Sequence, residues 1–274
     1  MALGGGFLKR ILAYLGVMVL LVLSLAQTKL YIGNMDTMVF KEGAKGYLAV
    51  IIDDFGYSGE GTDEILALDS NITAAVMPFS GRTNEDLEKI KAAGKEYIIH
   101  MPMESLTGDK AWVGDKGVFL SMTDDEIKAV TKEAIDIIDG AAGMNNHMGS
   151  AITTNEEKIS LVFEVLGDKG LFFIDSVTVP DTLTEKIGEK YGVEVLKRDV
   201  FLDSTDDIEV IKKNILKAGE IALENGTAIA IGHVGPEGGI VTAEALKETL
   251  PELEKMGVEL VSASEMREII KGGN

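Results

Sequence analysis

The sequence predicts one α/β domain on a parallel sheet, either doubly wound or closed into a barrel, and three observations lead there. From Tyr47 onward short apolar strands alternate with helical segments, a glycine punctuates the return from helix to strand, and the strands are continuous apolar runs. A strand covered on both faces needs a continuous run, and repeated alternation of this kind is the pattern of consecutive β/α units.

The expected strands are 47–52, 72–77, 97–101, 143–147, 171–175, 193–199, 227–232 and 258–262. Five of them follow a helix that stops at a glycine: Gly94, Gly170, Gly192, Gly226 and Gly257. Glycine takes the left-handed conformation that ends a helix and lets the chain turn into the sheet. Thr123 with Glu126, and Thr154 with Glu157, have the spacing of a capping box. No glycine-rich phosphate loop follows the first strand. The segment there, DDFGYSGEG, offers two carboxylates where a dinucleotide would need bare amides. Residues 105–122 form a longer excursion with the only tryptophan, Trp112, and are expected to lie over a site.

Ahead of this domain the chain changes character. Lys9 and Arg10 precede an apolar run from Ile11 to Ala26, the pattern of an export signal or of an anchor through residues 9–26. Residues 1–30 are expected to be a signal peptide or membrane anchor, 31–46 a linker and 47–274 the barrel. The protein is then exported, to a periplasmic or extracellular location, with or without anchoring to the inner membrane. Residues 1–30 hold three basic groups and no acid, so the rest carries 23 basic and 45 acidic residues. A body this acidic repels phosphate backbones, which argues against nucleic acid as a partner. There is no cysteine, which excludes disulfides, thiolate metal sites and cysteine nucleophiles.

Polar residues collect at the carboxyl ends of the strands: Asp53 and Asp54, His100 with Glu104, Asn145, Asn146 and His147, Asp175 and Ser176, Arg198 and Asp199, then His233. In parallel α/β barrels those ends share the face that carries the active site. All three histidines of the chain are among them. A carboxylate with two imidazoles is a ligand set for zinc or another first-row divalent ion, and a neighbouring carboxylate and a separate histidine supply acid–base chemistry. Asp175 and Asp199 read equally well as helix caps. No G-x-S-x-G elbow is present, which disfavours a serine triad. The abundance of acids leaves a two-carboxylate glycosidase open.

The stretches LAVIIDDFGYS, TAAVMPF, IIHMPME, NNHMGS, LFFIDS, RDVFLD and AIAIGHVGP occur in that order. Through them residues 47–265 resemble the divergent polysaccharide deacetylases, an offshoot of the carbohydrate esterases with a distorted (β/α) barrel of about seven parallel strands. The resemblance implies that Asp53 is the general base, Asp54 and His100 bind metal, and His233 is the general acid. Arg198 or Asp175 would tune the base. The superfamily's second histidine, four residues after the first, is replaced here by Glu104, so either His147 or Glu104 is the third ligand. NNHMGS stands where an arginine-proline-tyrosine stretch is usual. The implied activity is metal-dependent removal of acetyl groups, with Zn2+ as cofactor, from a polysaccharide or peptidoglycan-like glycan. The competing reading is an inactive barrel that binds a glycan or a partner. Trp112, Phe55, Tyr57 and Phe79 are the aromatic candidates for sugar stacking, Phe55 and Phe79 being better placed for packing.

Overall fold

A computed structural model describes residues 45–107 and 110–272. The expected leader and nearly all of the linker lie outside the described residues. Among those described, no helix is long and apolar enough to cross a membrane.

The elements run β1 (Gly46–Phe55), α1 (Thr62–Leu66), β2 (Ile72–Val76), α2 (Thr83–Ala92), β3 (Glu96–Met103), α3 (Lys110–Val113) and α4 (Asp124–Ile137). They continue through β4 (Gly143–Met148), α5 (Ser150–Thr153), α6 (Glu156–Lys169), β5 (Phe172–Asp175), α7 (Thr184–Tyr191), β6 (Val195–Lys197) and β7 (Val200–Phe201). The last are α8 (Ile208–Asn225), β8 (Thr227–His233), a 3-10 turn (Gly235–Glu237), α9 (Gly239–Met256), β9 (Val258–Leu260) and α10 (Ala263–Gly272). All strand pairs are parallel, in the order β6-β5-β4-β3-β2-β1-β8-β7, with β9 beside β1.

The expected strand 193–199 holds only β6, a second short strand, β7, follows it at Val200–Phe201, and the step between them curls the sheet. Arg198 N–H donates to Asp175 O on β5, and the next residue, Asp199, donates from its N–H to Ile229 O on β8. Within two residues the chain therefore steps from one edge of the sheet to the other. The result is the curled, distorted barrel that the sequence resemblance implied.

Side chains alternate along each strand. Leu48, Val50 and Ile52 belong to the outer core cluster between sheet and helices, together with helix residues such as Phe163, Ile211 and Leu246. Ala49 and Ile51 point the other way and meet Ile98, Phe172, Ile174, Ile229 and Ile231. Met266 of α10 joins this second cluster. The amino end of the barrel is sealed there: Ala263 N–H donates to Thr73 Oγ1 (3.0 Å) and Ser264 N–H to Glu96 Oε1 (3.1 Å). Only the carboxyl end remains open.

Of the two expected capping boxes, Thr123–Glu126 forms in full. The second does not. Thr154 donates its hydroxyl to Ser150 O (2.7 Å), and Asn155 caps α6 by accepting from Lys158 N–H (3.0 Å). Asn155 is the better cap because its place one residue later lets the chain finish α5 before α6 begins.

Candidate metal centre and acid–base site

The inward register of the strands builds the site. Asp53 continues the series Ala49, Ile51; His100 follows Ile98; Ser176 follows Phe172 and Ile174; His233 follows Ile229 and Ile231. Asn145 and His147 alternate with outward-facing Met144. Asp53 lies directly across from His233 on β8, and His100 across from Asn145 on β4. A cleft of about 340 Å3 opens over these strand ends, with Asp53, Asp54, His100, His147, Asp203 and His233 among its walls.

Asp54 has the wrong parity for this face. It reaches the site because β1 breaks register between Ile52 and Phe55 and Asp54 adopts a φ of 67°. That left-handed turn is held from α2. The buried carboxylate of Asp86 accepts from Gly56 N–H (2.6 Å), Ser58 N–H (2.9 Å) and Ser58 Oγ (2.8 Å). Asp86→Ala leaves the buried Gly56 N–H and the half-buried Ser58 donors unpaired, a loss of roughly 3 kcal/mol. It is also expected to weaken metal binding by ~10–100-fold, the range for a residue that orients a ligand. Chemical denaturation and chelator competition on the same preparation measure the two effects.

Three ligand atoms converge. His100 Nε2 and His147 Nδ1 are 3.1 Å apart and lie 3.3 and 3.2 Å from Asp54 Oδ1. Asp54 Oδ1 is buried and makes no well-aligned hydrogen bond. Both imidazoles are turned by partners on their far sides. His147 Nε2 lies 2.9 Å from Trp112 O, a pure acceptor, so this nitrogen carries the proton and Nδ1 presents a lone pair. His100 Nδ1 lies 2.7 Å from Asn145 Oδ1 and donates to it, which aims Nε2 at the same point. Asn145 Nδ2 in turn donates to Asp53 Oδ1 (2.8 Å). Ligand atoms of a tetrahedral ion with bonds of about 2.0–2.1 Å stand about 3.4 Å apart, so the triangle fits a first-row divalent cation. Among the described residues, this trio is the one cluster with metal-ligand spacing.

The electrostatics point the same way. Burial acts to raise the Asp54 carboxyl, but the two imidazoles hold it well below its usual range. Burial likewise acts to lower His100, but Asp53 and Asp54 outweigh it and raise the imidazole. The pocket therefore keeps positive charge beside Asp54, as a proton or as a metal competing for the same lone pair. Asp53 goes up, mainly because burial penalises its charge, with His100 and His233 opposing.

His233 donates from Nδ1 to Asp203 Oδ1 (2.8 Å), and its N–H donates to Asp203 Oδ2 (2.7 Å), which also accepts from Thr242 Oγ1 (2.7 Å). Burial works to lower this imidazole, but Asp203 and then Asp53 and Asp54 push its pKa up to about 10. The ring is thus held protonated, with Nδ1 tied to Asp203.

The remaining expected residues sit outside the cleft walls. Asp175 has outward parity, and its carboxylate accepts from Val177 N–H (2.7 Å) and Thr184 Oγ1 (2.5 Å). Arg198 donates to Ser176 O (2.7 Å) and Val177 O (3.0 Å) and lies over the Phe201 ring. Together they clamp Val177 at a φ of 47°, a costly conformation for a β-branched residue. Glu104 accepts from Leu120 N–H (2.7 Å) and anchors the 105–122 excursion instead of joining the ligand triangle. That excursion does cover the site, since Trp112 lines the cleft. Phe55 is core, and Phe79 packs against it.

Comparison with known proteins bears on the fold and the family. An uncharacterized protein of Escherichia coli (strain K12), YibQ, is 35% identical over 221 residues, 81% of this chain and 67% of its own length. The uncharacterized protein ATU2773 of Agrobacterium tumefaciens C58 has a crystal structure that superposes with a TM-score of 0.74 at 20% identity, over 81% of this chain and 90% of that one. A peptidoglycan N-acetylglucosamine deacetylase, Bc1960, shares the fold with a TM-score of 0.53 at 15% identity, over 81% and 88% of the two chains. The described core, from the second half of β1 into α10, coincides with the stretch, residues 50–267, that matches one family throughout, and the chain belongs to it: the divergent polysaccharide deacetylases.

Proposed function

We propose that the protein is a metal-dependent hydrolase that removes acetyl groups from an envelope or extracellular glycan, with zinc held by Asp54, His100 and His147. The observation that carries this reading is the pair of imidazoles whose outer hydrogen bonds turn two lone pairs and an orphaned carboxylate oxygen toward one point. Two nitrogens and one oxygen with open positions beyond them suit zinc.

When bound, the ion supplies Lewis acidity toward the acyl oxygen and the attacking water. Asp53 takes the proton from that water, oriented by Asn145 Nδ2. His233, charged against Asp203, gives a proton to the departing amine or alkoxide as the acyl C–N or C–O bond breaks. Acetate is the other product. Arg198 lies within electrostatic range of Asp53 and favours its ionised form, while Asp175 acts through the Val177 turn. The family, and the peptidoglycan deacetylase that shares the fold, support a glycan substrate. Residues 1–30 support an exported location.

Elemental analysis of the purified protein is expected to give one divalent ion per chain, and the zinc-loaded protein to release acetate from acetylated glycans. A folded, zinc-loaded protein that releases none from any of them would overturn the hydrolase reading in favour of glycan binding alone.

A further inference from the structure

The chain has one asparagine followed by a glycine, Asn225-Gly226, at the joint between α8 and β8. Asparagine is a chemically labile residue, and most of all before glycine, which has no Cβ to obstruct attack by its own main-chain nitrogen on the asparagine side chain. The fold leaves that attack open. Asn225 is exposed, and no atom lies within 4 Å of the place a Cβ would take on Gly226. The glycines that end α6, α7 and α9 return their N–H to a carbonyl of their own helix. Gly226, at a φ of 87° and a ψ of −30°, returns none among the described residues. The side chains of Asn71, Asn145, Asn146, Asn155 and Asn214 are hydrogen-bonded. Among the described residues no such bond holds that of Asn225.

The Gly226 nitrogen gives its proton to hydroxide and bonds to Asn225 Cγ. The Cγ–Nδ2 bond breaks, and the amide nitrogen leaves as ammonia with a proton from water. Water then opens the cyclic imide at either carbonyl, giving aspartate or isoaspartate. Nothing is oxidised, and the reaction needs water alone, whatever the strand-end site binds. Both products put a carboxylate at the carboxyl end of an 18-residue helix whose last turn holds no basic residue, where the helix dipole opposes negative charge. Isoaspartate also adds an atom to the main chain just ahead of Thr227, which pairs with Tyr47 of β1, and beside Gly226 O, which accepts from Tyr47 N–H (3.0 Å).

We propose that Asn225 is a site of spontaneous deamidation, and that the modification loosens the start of the β1–β8 pairing. The test is to age the full chain in mildly alkaline buffer and to map its peptides by mass. The peptide holding Asn225 should gain the mass of an acid over an amide, in aspartate and isoaspartate forms. It should do so ahead of the peptide holding Asn84, which Glu85 follows inside α2. The aged protein should melt ~1–4 °C lower, and Asn225→Ser, aged alongside, should keep its melting temperature. Fresh Asn225→Asp, which carries the charge without the added main-chain atom, should melt between fresh and aged wild type. Amide exchange in the aged protein should quicken at Tyr47 N–H and not at Val234 N–H, which donates to Asp53 O (3.1 Å) at the far end of the same strand pair. Asn225 left intact while the unfolded chain converts in the same buffer would overturn the site, as would conversion of Asn84 at the same rate. An equal fall in melting temperature in aged Asn225→Ser, or exchange quickened alike at Tyr47 and Val234, would overturn the loosening.

Discussion

His100→Ala is expected to yield a folded chain that no longer retains a divalent ion, with acetate release lowered by at least ~100-fold. The imidazole supplies one corner of the ligand triangle, 3.3 Å from Asp54 Oδ1 and 3.1 Å from His147 Nδ1. The same ring faces both adjacent carboxylates, its Nδ1 lying 3.7 Å from Asp53 Oδ1. Its removal should therefore lower metal affinity by more than the ~10–100-fold expected for Asn145→Ala, which removes the group orienting it and a donor to Asp53 but no ligand. Chelator competition orders the two variants, and far-ultraviolet circular dichroism reports whether each is folded. Metal retained by His100→Ala at wild-type affinity would remove that residue from the ligand set.

Asp203→Asn is expected to have the second large effect, and it is visible with no substrate present. The folded-state pKa of His233, about 10, stands above the ordinary 6.5. The stability contributed by its protonation is therefore complete below about pH 6.5 and disappears as the pH climbs through about 10. Metal-free wild type should accordingly lose stability across that window in thermal or denaturant unfolding. The amide that replaces the carboxylate accepts a hydrogen bond without the negative charge, so the variant should be less stable at neutral pH and show a flatter profile. Activity should fall by ~10²–10⁴-fold, the scale of general acid–base catalysis, with its alkaline limb moved to lower pH. Identical pH–stability curves for the two proteins would sever Asp203 from His233.

Much of this site is legible in the sequence. Period-two alternation carries Asp53, His100, His147 and His233 onto one face, and glycine stops mark where five of the strands begin. The same alternation, followed strictly, separates Asp175 from the site, since it shares parity with outward-facing Phe173. Asp54 is illegible by pattern because it enters through a local backbone inversion fixed by Asp86, remote in sequence. Asp203 was hidden for another reason. One strand over 193–199 leaves no place for β7, and Asp203 is the inward residue two positions after Phe201. Trp112 was placed over the site by its loop, but the use of its carbonyl to set a histidine tautomer belongs to the main chain and has no residue signature.

The split of β6 from β7 has a consequence for how the molecule behaves in company. An open sheet ends in two rows of unpaired amides, each a template on which another extended chain can add. Here the terminal strands are three and two residues long and belong to a single passage of chain from Val195 to Phe201. Neither offers enough ladder for a stranger to pair with. A sheet otherwise dense in apolar runs is thus guarded against edge-to-edge aggregation by the same two-residue step that brings β7, and with it Asp203, to the site.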